Sequence, residues 1–335
     1  MKRINLAIVG ATGMVGRTFI QVLEERDFPV NEIYFFASAK SKGQVLSFRG
    51  KEFVVEELSE ESFDREIDIA LFSAGGEVSK RFAPIARDKG IIVIDNSSAW
   101  RMEKDVPLIV PEANPEDIKW HNGIIANPNC STIQAILPLK VLDNAFKIKR
   151  VVYSTYQAVS GSGVGGIKDL KNGVNGIENS KYPHPIAFNC LPHIDIFMDN
   201  GYTKEEIKMI EETKKILGND ELRITATTVR VPVKYGHSIS VNVEFENNFE
   251  IRDVYSVLEK AQGIIIKDNP KENIYPMPLY AEGTDDVYVG RIRRDFSLEN
   301  GLNIWVVADN IRKGAATNTV QIAELLLEDD ENDII

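Results

Sequence analysis

The residues best suited to covalent chemistry lie in one stretch, Asn127-Pro128-Asn129-Cys130-Ser131-Thr132. Asn and Pro are helix starters. Ile133, Ile136, Leu137 and Val141 then recur at helical spacing, with Pro138 expected to limit or kink the pattern. Cys130 therefore falls in a first helical turn, where unpaired N–H groups and the macrodipole favour negative charge. Such a position makes a thiolate available as a nucleophile. A buried cysteine packing as a small hydrophobe is the ordinary alternative, and the polar neighbours weigh against it. Further along, Arg230 and His237 flank a turn and can reach one pocket. Glu212 and Lys215 are three apart on one helix face, a spacing that more commonly marks a surface ion pair. His184, Cys190 and His193 gather on a proline-broken segment, too few and too irregular for a metal site, so no metal is expected.

The elements before Cys130 read as a nucleotide-binding unit. Ile4–Val9 is a buried strand, Gly10-Ala11-Thr12-Gly13-Met14-Val15-Gly16 its glycine turn, and Val15, Phe19, Val22 and Leu23 mark the helix that follows. Strand, glycine turn and helix are the context of the dinucleotide fingerprint, here spaced GxxGxxG. Small residues admit a pyrophosphate to the backbone, and the helix N-terminus offers N–H donors. After the second strand, Ile33–Ala37, an NAD site would place an acidic residue for the ribose 2′-hydroxyl. Ser38, Lys40 and Ser41 stand there instead and suit a 2′-phosphate, so NADP(H) is expected. A solvated basic loop is the alternative. A third strand at Ile67–Phe72 leads into Ser73-Ala74-Gly75-Gly76, a helix over 78–89 and a strand at Ile91–Ile94. Alternating strands and helices imply a parallel sheet with ligands beyond its carboxyl ends. Arg101 follows such an end, placed either to meet an anion or simply on a surface loop.

Beyond the Cys130 helix the pattern changes. Strands are expected at 150–159, 224–233, 239–245, 286–292 and 302–308, with a capped helix from Thr203 to about Leu217. Ser160-Gly161-Ser162-Gly163-Val164-Gly165-Gly166 is either an amide-rich cradle or a flexible turn before a short helix at 167–172. The segment 177–200, with three prolines, reads as irregular. A final helix over 315–327 presents Val320, Ile322, Ala323, Leu326 and Leu327 and is expected to return to the first domain, with residues 328–333 as an acidic frayed tail. The fold class is α/β: an N-terminal Rossmann-type dinucleotide-binding domain (1–129 plus 313–335) and a C-terminal α+β domain on a mostly antiparallel or mixed sheet (130–312).

Composition agrees. The 335 residues suffice for two domains; 43% are hydrophobic, 27% charged, and the net charge is −11. That acidity argues against nucleic acid as a partner. The N-terminus is neither a secretory signal nor a membrane span, and two cysteines make no disulfide framework, so a cytoplasmic enzyme is expected.

Cysteine attack on a carbonyl gives a thiohemiacetal or thioester, histidine moves protons, a nicotinamide exchanges hydride with the same carbon, and cations hold anionic groups. This combination indicates a phosphorylating aldehyde dehydrogenase. The chain resembles the aspartate-β-semialdehyde dehydrogenases in Gly10–Gly16, Asp95-Asn96-Ser97-Ser98, Asn127–Thr132, Tyr156–Gly163, Arg230-Val231-Pro232-Val233 and Gly236-His237-Ser238. The resemblance implies NADPH-dependent reduction of L-4-aspartyl phosphate to L-aspartate 4-semialdehyde with release of phosphate, a step towards lysine, threonine and methionine. It implies Cys130 as the acylated nucleophile, His237 as the acid–base group and Gln157 as the residue that orients the substrate. Arg230 would grip the α-carboxylate, Glu212 would receive the ammonium or tune Lys215, and Arg101, Asn129 and Lys215 would bind phosphate. Thr12, Gly13, Met14, Val15, Ser38, Lys40, Ser41, Ser73, Ala74, Gly75, Ser160, Gly161 and Asn310 would line the NADP(H) site. A homodimer or tetramer is implied. The rival readings are N-acetyl-glutamyl-phosphate reduction, an inactive NADPH-binding paralogue and a cysteine hydrolase.

Overall fold

A computed structural model describes residues 3–332, so the expectations placed on Met1, Lys2 and Asp333 lie outside the described residues. The chain forms two compact units: one runs up to Pro128 and resumes at Ala315, the other is Asn129–Gly314.

The first unit is built on β1 (Ile4–Val9), α1 (Met14–Glu25), β2 (Val30–Ala37), β3 (Val45–Phe48), β4 (Lys51–Val54), β5 (Glu56–Glu57), β6 (Ile69–Phe72), α2 (Gly76–Asp88), β7 (Ile92–Asp95) and β8 (Ile124–Ala126). Six strands pair in the order β5-β2-β1-β6-β7-β8, every pair parallel. The chain leaves β1 for β2 on one side and returns to β6 on the other. That reversal makes the carboxyl ends of β1 and β6 the switch point at which doubly wound sheets bind ligands. Leu6 and Ile8, fully buried, pack in one cluster with Phe19, Val22 and Leu23 of α1. The final helix, Thr317–Asn332, buries Val320, Ile322, Ala323, Leu326 and Leu327 in that same cluster. Its Glu324 meets Arg26 at the end of α1 through two hydrogen bonds of 2.6 and 2.8 Å. This helix is longer than the sequence suggests: a π-helical turn at Arg312–Ala316 leads into it, and residues 328–332 continue it where a frayed tail was expected.

The second unit comprises α3 (Cys130–Phe146), β9 (Ile148–Gln157), α4 (Gly163–Val174), α5 (Lys204–Leu217), β10 (Arg223–Arg230), β11 (His237–Phe245), α6 (Ile251–Leu258), β12 (Ile264–Ile266), α7 (Pro278–Ala281), β13 (Val287–Asp295) and β14 (Gly301–Ala308). The sheet order is β10-β9-β11-β14-β13-β12; its outer pairs β10/β9 and β13/β12 are parallel and the inner pairs antiparallel, a mixed sheet. Along β11, Ile239, Val241, Val243 and Phe245 are buried while Ser240, Asn242 and Glu244 are half-buried, the period-two signature of a strand with one core face.

Pro138 does not end α3. The helix continues to Phe146, and its neighbours Ile133, Gln134, Ala135, Ile136, Leu137, Leu139 and Leu142 are all buried. Burial on every side outweighs the ~3 kcal/mol cost of an internal proline. The glycine run is also more ordered than a cradle or flexible turn: Val159–Ser162 is a 3-10 turn and α4 begins at Gly163. The proline-rich segment 177–200 is irregular, and the buried Asp169 of α4 anchors it by accepting from the backbone N–H groups of Ser180, Lys181 and Tyr182 at 2.7–3.0 Å. The β3–β4 hairpin and α6 have no counterpart in the sequence reading.

Candidate functional site

In the first unit, a cavity of about 450 Å³ opens at the switch point, walled by Gly10, Thr12 and Gly13 after β1, Ser38 after β2, and Ser73 and Ala74 after β6. Gly10 is obligatory there. Its φ is +87°, and a Cβ would lie 2.3 Å from the Ser73 carbonyl oxygen. Gly16 is needed for a different reason: a Cβ would sit 2.3 Å from the Gly10 oxygen, forcing α1 off the turn. The N-terminus of α1, at Met14 and Val15, carries no side-chain cap and no acidic residue in its first turn, which leaves it suited to an anion. Gly75 is the N-cap of α2, with φ +89°. Ser41 and Lys40 lie beside this cavity rather than on its wall. Ser41 Oγ accepts from Thr12 Oγ1 at 3.1 Å, and Lys40 is exposed. Arg81 and Glu57 do line it, and neither was singled out from the sequence, because each enters from an element beyond the fingerprint.

Arg101 is not a surface arginine. It is buried, with Nε donating to the Asn127 carbonyl at 2.9 Å and Nη2 to the Asn96 carbonyl at 2.9 Å. Asn127 is tied in turn to Asn96 at 2.9 Å and to Asn318 of the final helix at 2.7 Å. Burial pushes the nearby Asp95 carboxyl upward, against the hydroxyls of Ser97 and Ser79 and the charge of Arg101.

In the second unit, Cys130 opens α3 and is partly exposed. Asn129 is the N-cap: its Oδ1 accepts from the N–H groups of Ser131 at 2.9 Å and Thr132 at 3.3 Å. Close against the cysteine runs Gly314, where a Cβ would come within 2.9 Å of the Cys130 Cβ. Four residues into the helix, Gln134 donates to the His237 carbonyl at 3.1 Å, which ties His237 to the Cys130 end of α3.

Ala158, the residue after β9, is the hub. Its N–H donates to His237 Nδ1 at 3.0 Å, and its carbonyl accepts from Arg230 Nη1 at 2.7 Å. Gly161 borders both side chains, since a Cβ there would lie 2.9 Å from Arg230 Nη1 and 3.3 Å from His237 Nε2. The structure thus joins the Arg230–His237 pair that the sequence placed around one turn. Burial, reinforced by the Arg230 charge, pushes His237 well below its ordinary 6.5, so the ring is neutral. With Nδ1 accepting, the hydrogen sits on Nε2.

Asn310 Oδ1 accepts from Ser160 Oγ and from the Gly236 N–H, both at 3.0 Å, which brings Ser160, Gly161 and Asn310 to one place. Several buried polar atoms around this turn and the start of α3 have no protein partner: Arg230 Nε, His237 Nε2, Asn310 Nδ2, Ser131 Oγ and Gln134 Oε1. Such orphans are rare in folded proteins, and their clustering marks a surface made for a polar ligand.

Glu212 is buried and accepts from the Asn129 N–H at 2.6 Å, so it lies off the surface, while Lys215 on the same helix is half-buried. Glu205, missed in the sequence, accepts from Asn129 Nδ2 at 2.8 Å and Gln157 Nε2 at 3.3 Å. Its spacing of seven from Glu212, two helical turns, was the available signal. Among the described residues, no group of three or more His, Cys, Asp or Glu side chains is placed to hold a metal, and no helix is long and apolar enough to cross a membrane.

A parallel sheet with a glycine turn at its switch point defines a dinucleotide-binding unit, and the second unit carries a helix-start cysteine together with a buried histidine and a buried arginine on one turn. Models of the semialdehyde dehydrogenase NAD-binding domain and dimerisation domain match residues 5–121 and 139–313. Aspartate-semialdehyde dehydrogenase of Aquifex aeolicus is 57% identical over 334 residues, covering 97% of this chain and 98% of the relative. A crystal structure of aspartate semialdehyde dehydrogenase II from Vibrio cholerae, complexed with ASA, is similar at TM-score 0.95 and 48% identity over 98% of this chain and 99% of that one. The enzyme with NADP from Candida albicans is similar at TM-score 0.78 and 28% identity, over 97% and 98% of the two chains. The chain belongs to the semialdehyde dehydrogenase family, among the aspartate-semialdehyde dehydrogenases. It is an oxidoreductase of amino-acid biosynthesis that uses a nicotinamide dinucleotide.

Proposed function

We propose that this enzyme reduces L-4-aspartyl phosphate to L-aspartate 4-semialdehyde through an acyl-Cys130 thioester, with NADPH as reductant. The observation that carries this reading is the set of unpartnered donors, Arg230 Nε and His237 Nε2, held by the Ala158 turn in the unit that presents Cys130 at a helix start.

The Cys130 thiolate, favoured by the N–H groups opening α3, attacks the acyl phosphate carbonyl; the C–S bond forms, the C–O bond to phosphate breaks and phosphate leaves. A reduced nicotinamide, when bound, supplies the hydride that takes the thioester carbon to the aldehyde level. His237 presents Nε2–H rather than a lone pair. It therefore acts as a donor to the oxygen on which negative charge develops, before collapse of that centre returns the thiolate. Arg230, with Nε free and Nη1 fixed, offers a rigid fork for the α-carboxylate. Glu212 offers negative charge for the ammonium, and Gln157 orients the substrate. Asn129 has spent its Oδ1 and one amide hydrogen, which leaves a second hydrogen for phosphate alongside Lys215; Arg101 of the first unit is proposed as a phosphate-binding cation.

The residues fit the cofactor. Thr12, Gly13, Ser38, Ser73 and Ala74 wall a cavity at a switch point, and the orphaned Asn310 Nδ2 beside Ser160 is a donor suited to a carboxamide oxygen. Met14 and Val15 supply helix N-terminal amides, Gly75 caps α2, and Lys40 with Ser41 stands near for a 2′-phosphate.

A cytoplasmic homodimer is proposed, formed through the exposed sheet face where Tyr156, Tyr275, Pro276 and Trp305 border a groove of about 420 Å³. Size-exclusion chromatography with light scattering tests it. The function is tested by phosphate-dependent NADP⁺ reduction with L-aspartate semialdehyde, run beside N-acetyl-glutamate semialdehyde and beside NAD⁺. Turnover requiring phosphate and the free amino acid supports the reading; preference for the N-acetylated substrate refutes it.

A further inference from the structure

Helix α5 turns two buried carboxylates, Glu205 and Glu212, towards the same residue. Glu212 takes the backbone N–H of Asn129 and Glu205 takes its side-chain amide. With Oδ1 capping α3, Asn129 is thus held at three points, and it is the residue immediately before Cys130. The same Glu205 oxygen, Oε1, also accepts from Gln157 Nε2. Its other oxygen meets Lys208 at 3.2 Å, and Lys208 reaches Asp195 at 2.7 Å. A buried carboxylate survives only when its charge is answered in this way.

We propose that Glu205 is a positioning residue of the active centre: by gripping the amides of Asn129 and Gln157 with one oxygen, it fixes the start of the Cys130 helix and leaves the Gln157 carbonyl oxygen as the end offered to the substrate. The Asn129 amide is also oriented by its cap on α3, so it is Gln157 whose two ends, nearly the same shape, depend on Glu205 for their orientation. Helix α5 therefore links its outer ion pair, Lys208–Asp195, to the orientation of two groups beside the nucleophile. The Glu205 side chain works only through Asn129 and Gln157.

The test replaces Glu205 by Gln, which keeps the volume but cannot accept from two amide donors and a lysine at once. The expected result is a kcat lower by about tenfold or more with a smaller change in KM, a parallel slowing of Cys130 alkylation by iodoacetamide in phosphate-free buffer, and NADPH affinity within about twofold of wild type. Gln157→Ala should cost much less in the Glu205→Gln background than in wild type, since the clamp that gives Gln157 its orientation is already gone. Lys208→Met, which leaves the amide-gripping oxygen of Glu205 in place, should retain most of the alkylation rate. Unchanged alkylation with an additive double mutant overturns the proposal. If Glu205→Gln does not fold, Asn129→Ser keeps a helix cap but removes the amide that Glu205 grips. It should alkylate slowly, and a wild-type alkylation rate in that variant overturns the proposal equally. The inference rests on the cysteine chemistry proposed above. Alkylation needs neither substrate nor cofactor, so failure of the turnover assay and failure of the clamp are separate results.

Discussion

Replacing His237 by Gln removes a titration that the fold itself creates. In the native protein the ring accepts the Ala158 N–H at 3.0 Å, and its full burial and the Arg230 charge beside it hold it well below its ordinary 6.5. The unfolded chain regains that ordinary value. Between the two, the unfolded state binds a proton that the native state does not, so stability falls as pH drops below 6.5 and is fully present above it. From about pH 7.5 to about pH 5.5 the loss from this one residue is on the order of 1 kcal/mol. Gln keeps an acceptor for the Ala158 N–H and has nothing to protonate. Urea unfolding at both pH values, on wild type and His237→Gln, isolates the effect, since all other titrating groups are shared. The stability difference between the two pH values should be smaller in the variant by an amount on the order of 1 kcal/mol. Equal pH dependence in the two proteins would refute the neutral, buried state of His237 and with it the Nε2–H donor.

Cys130→Ala should abolish turnover and leave NADPH binding intact by fluorescence titration, because the thiol is chemistry rather than scaffold. Arg101→Ala should raise the KM for phosphate far more than that for the semialdehyde in the reverse reaction, provided its partners at Asn96 and Asn127 hold, which a melting curve checks. Arg230→Lys should raise the semialdehyde KM by about tenfold or more, since a point charge replaces a planar fork. Gly10→Ala should cost about 3 kcal/mol in thermal unfolding, from a left-handed backbone and a clash with the Ser73 carbonyl, and should lose nucleotide binding.

The legible parts of this chain are those in which one face differs from the other. The Phe19/Val22/Leu23 stripe of α1, the alternation of β11 and the apolar stripe of the final helix all carry their period in the sequence. Helix α3 does not announce its length, because Ser131–Leu139 is buried on every side and its proline is held by packing. Helix α4 opens on glycines whose order comes from neighbours such as the Tyr182 hydroxyl, which approaches Gly166. At the site, the place of Cys130 at a helix start was readable because capping is local. The burial of Arg101, the change of Glu212 from surface to core, and the grip of Glu205 on Asn129 and Gln157 come from contacts up to 83 residues apart, which local spacing does not encode. The tautomer of His237 is of the same kind, set by one backbone N–H 79 residues away.

The central claim is acyl transfer through Cys130, and intact-protein mass spectrometry reads it directly. Enzyme mixed with L-aspartate semialdehyde and NADP⁺ in the absence of phosphate should gain the mass of one aspartyl group, mapped to Cys130 by peptide digestion and discharged on addition of phosphate. Phosphate-dependent turnover with no acyl mass on Cys130, or with the mass on another residue, would contradict the account.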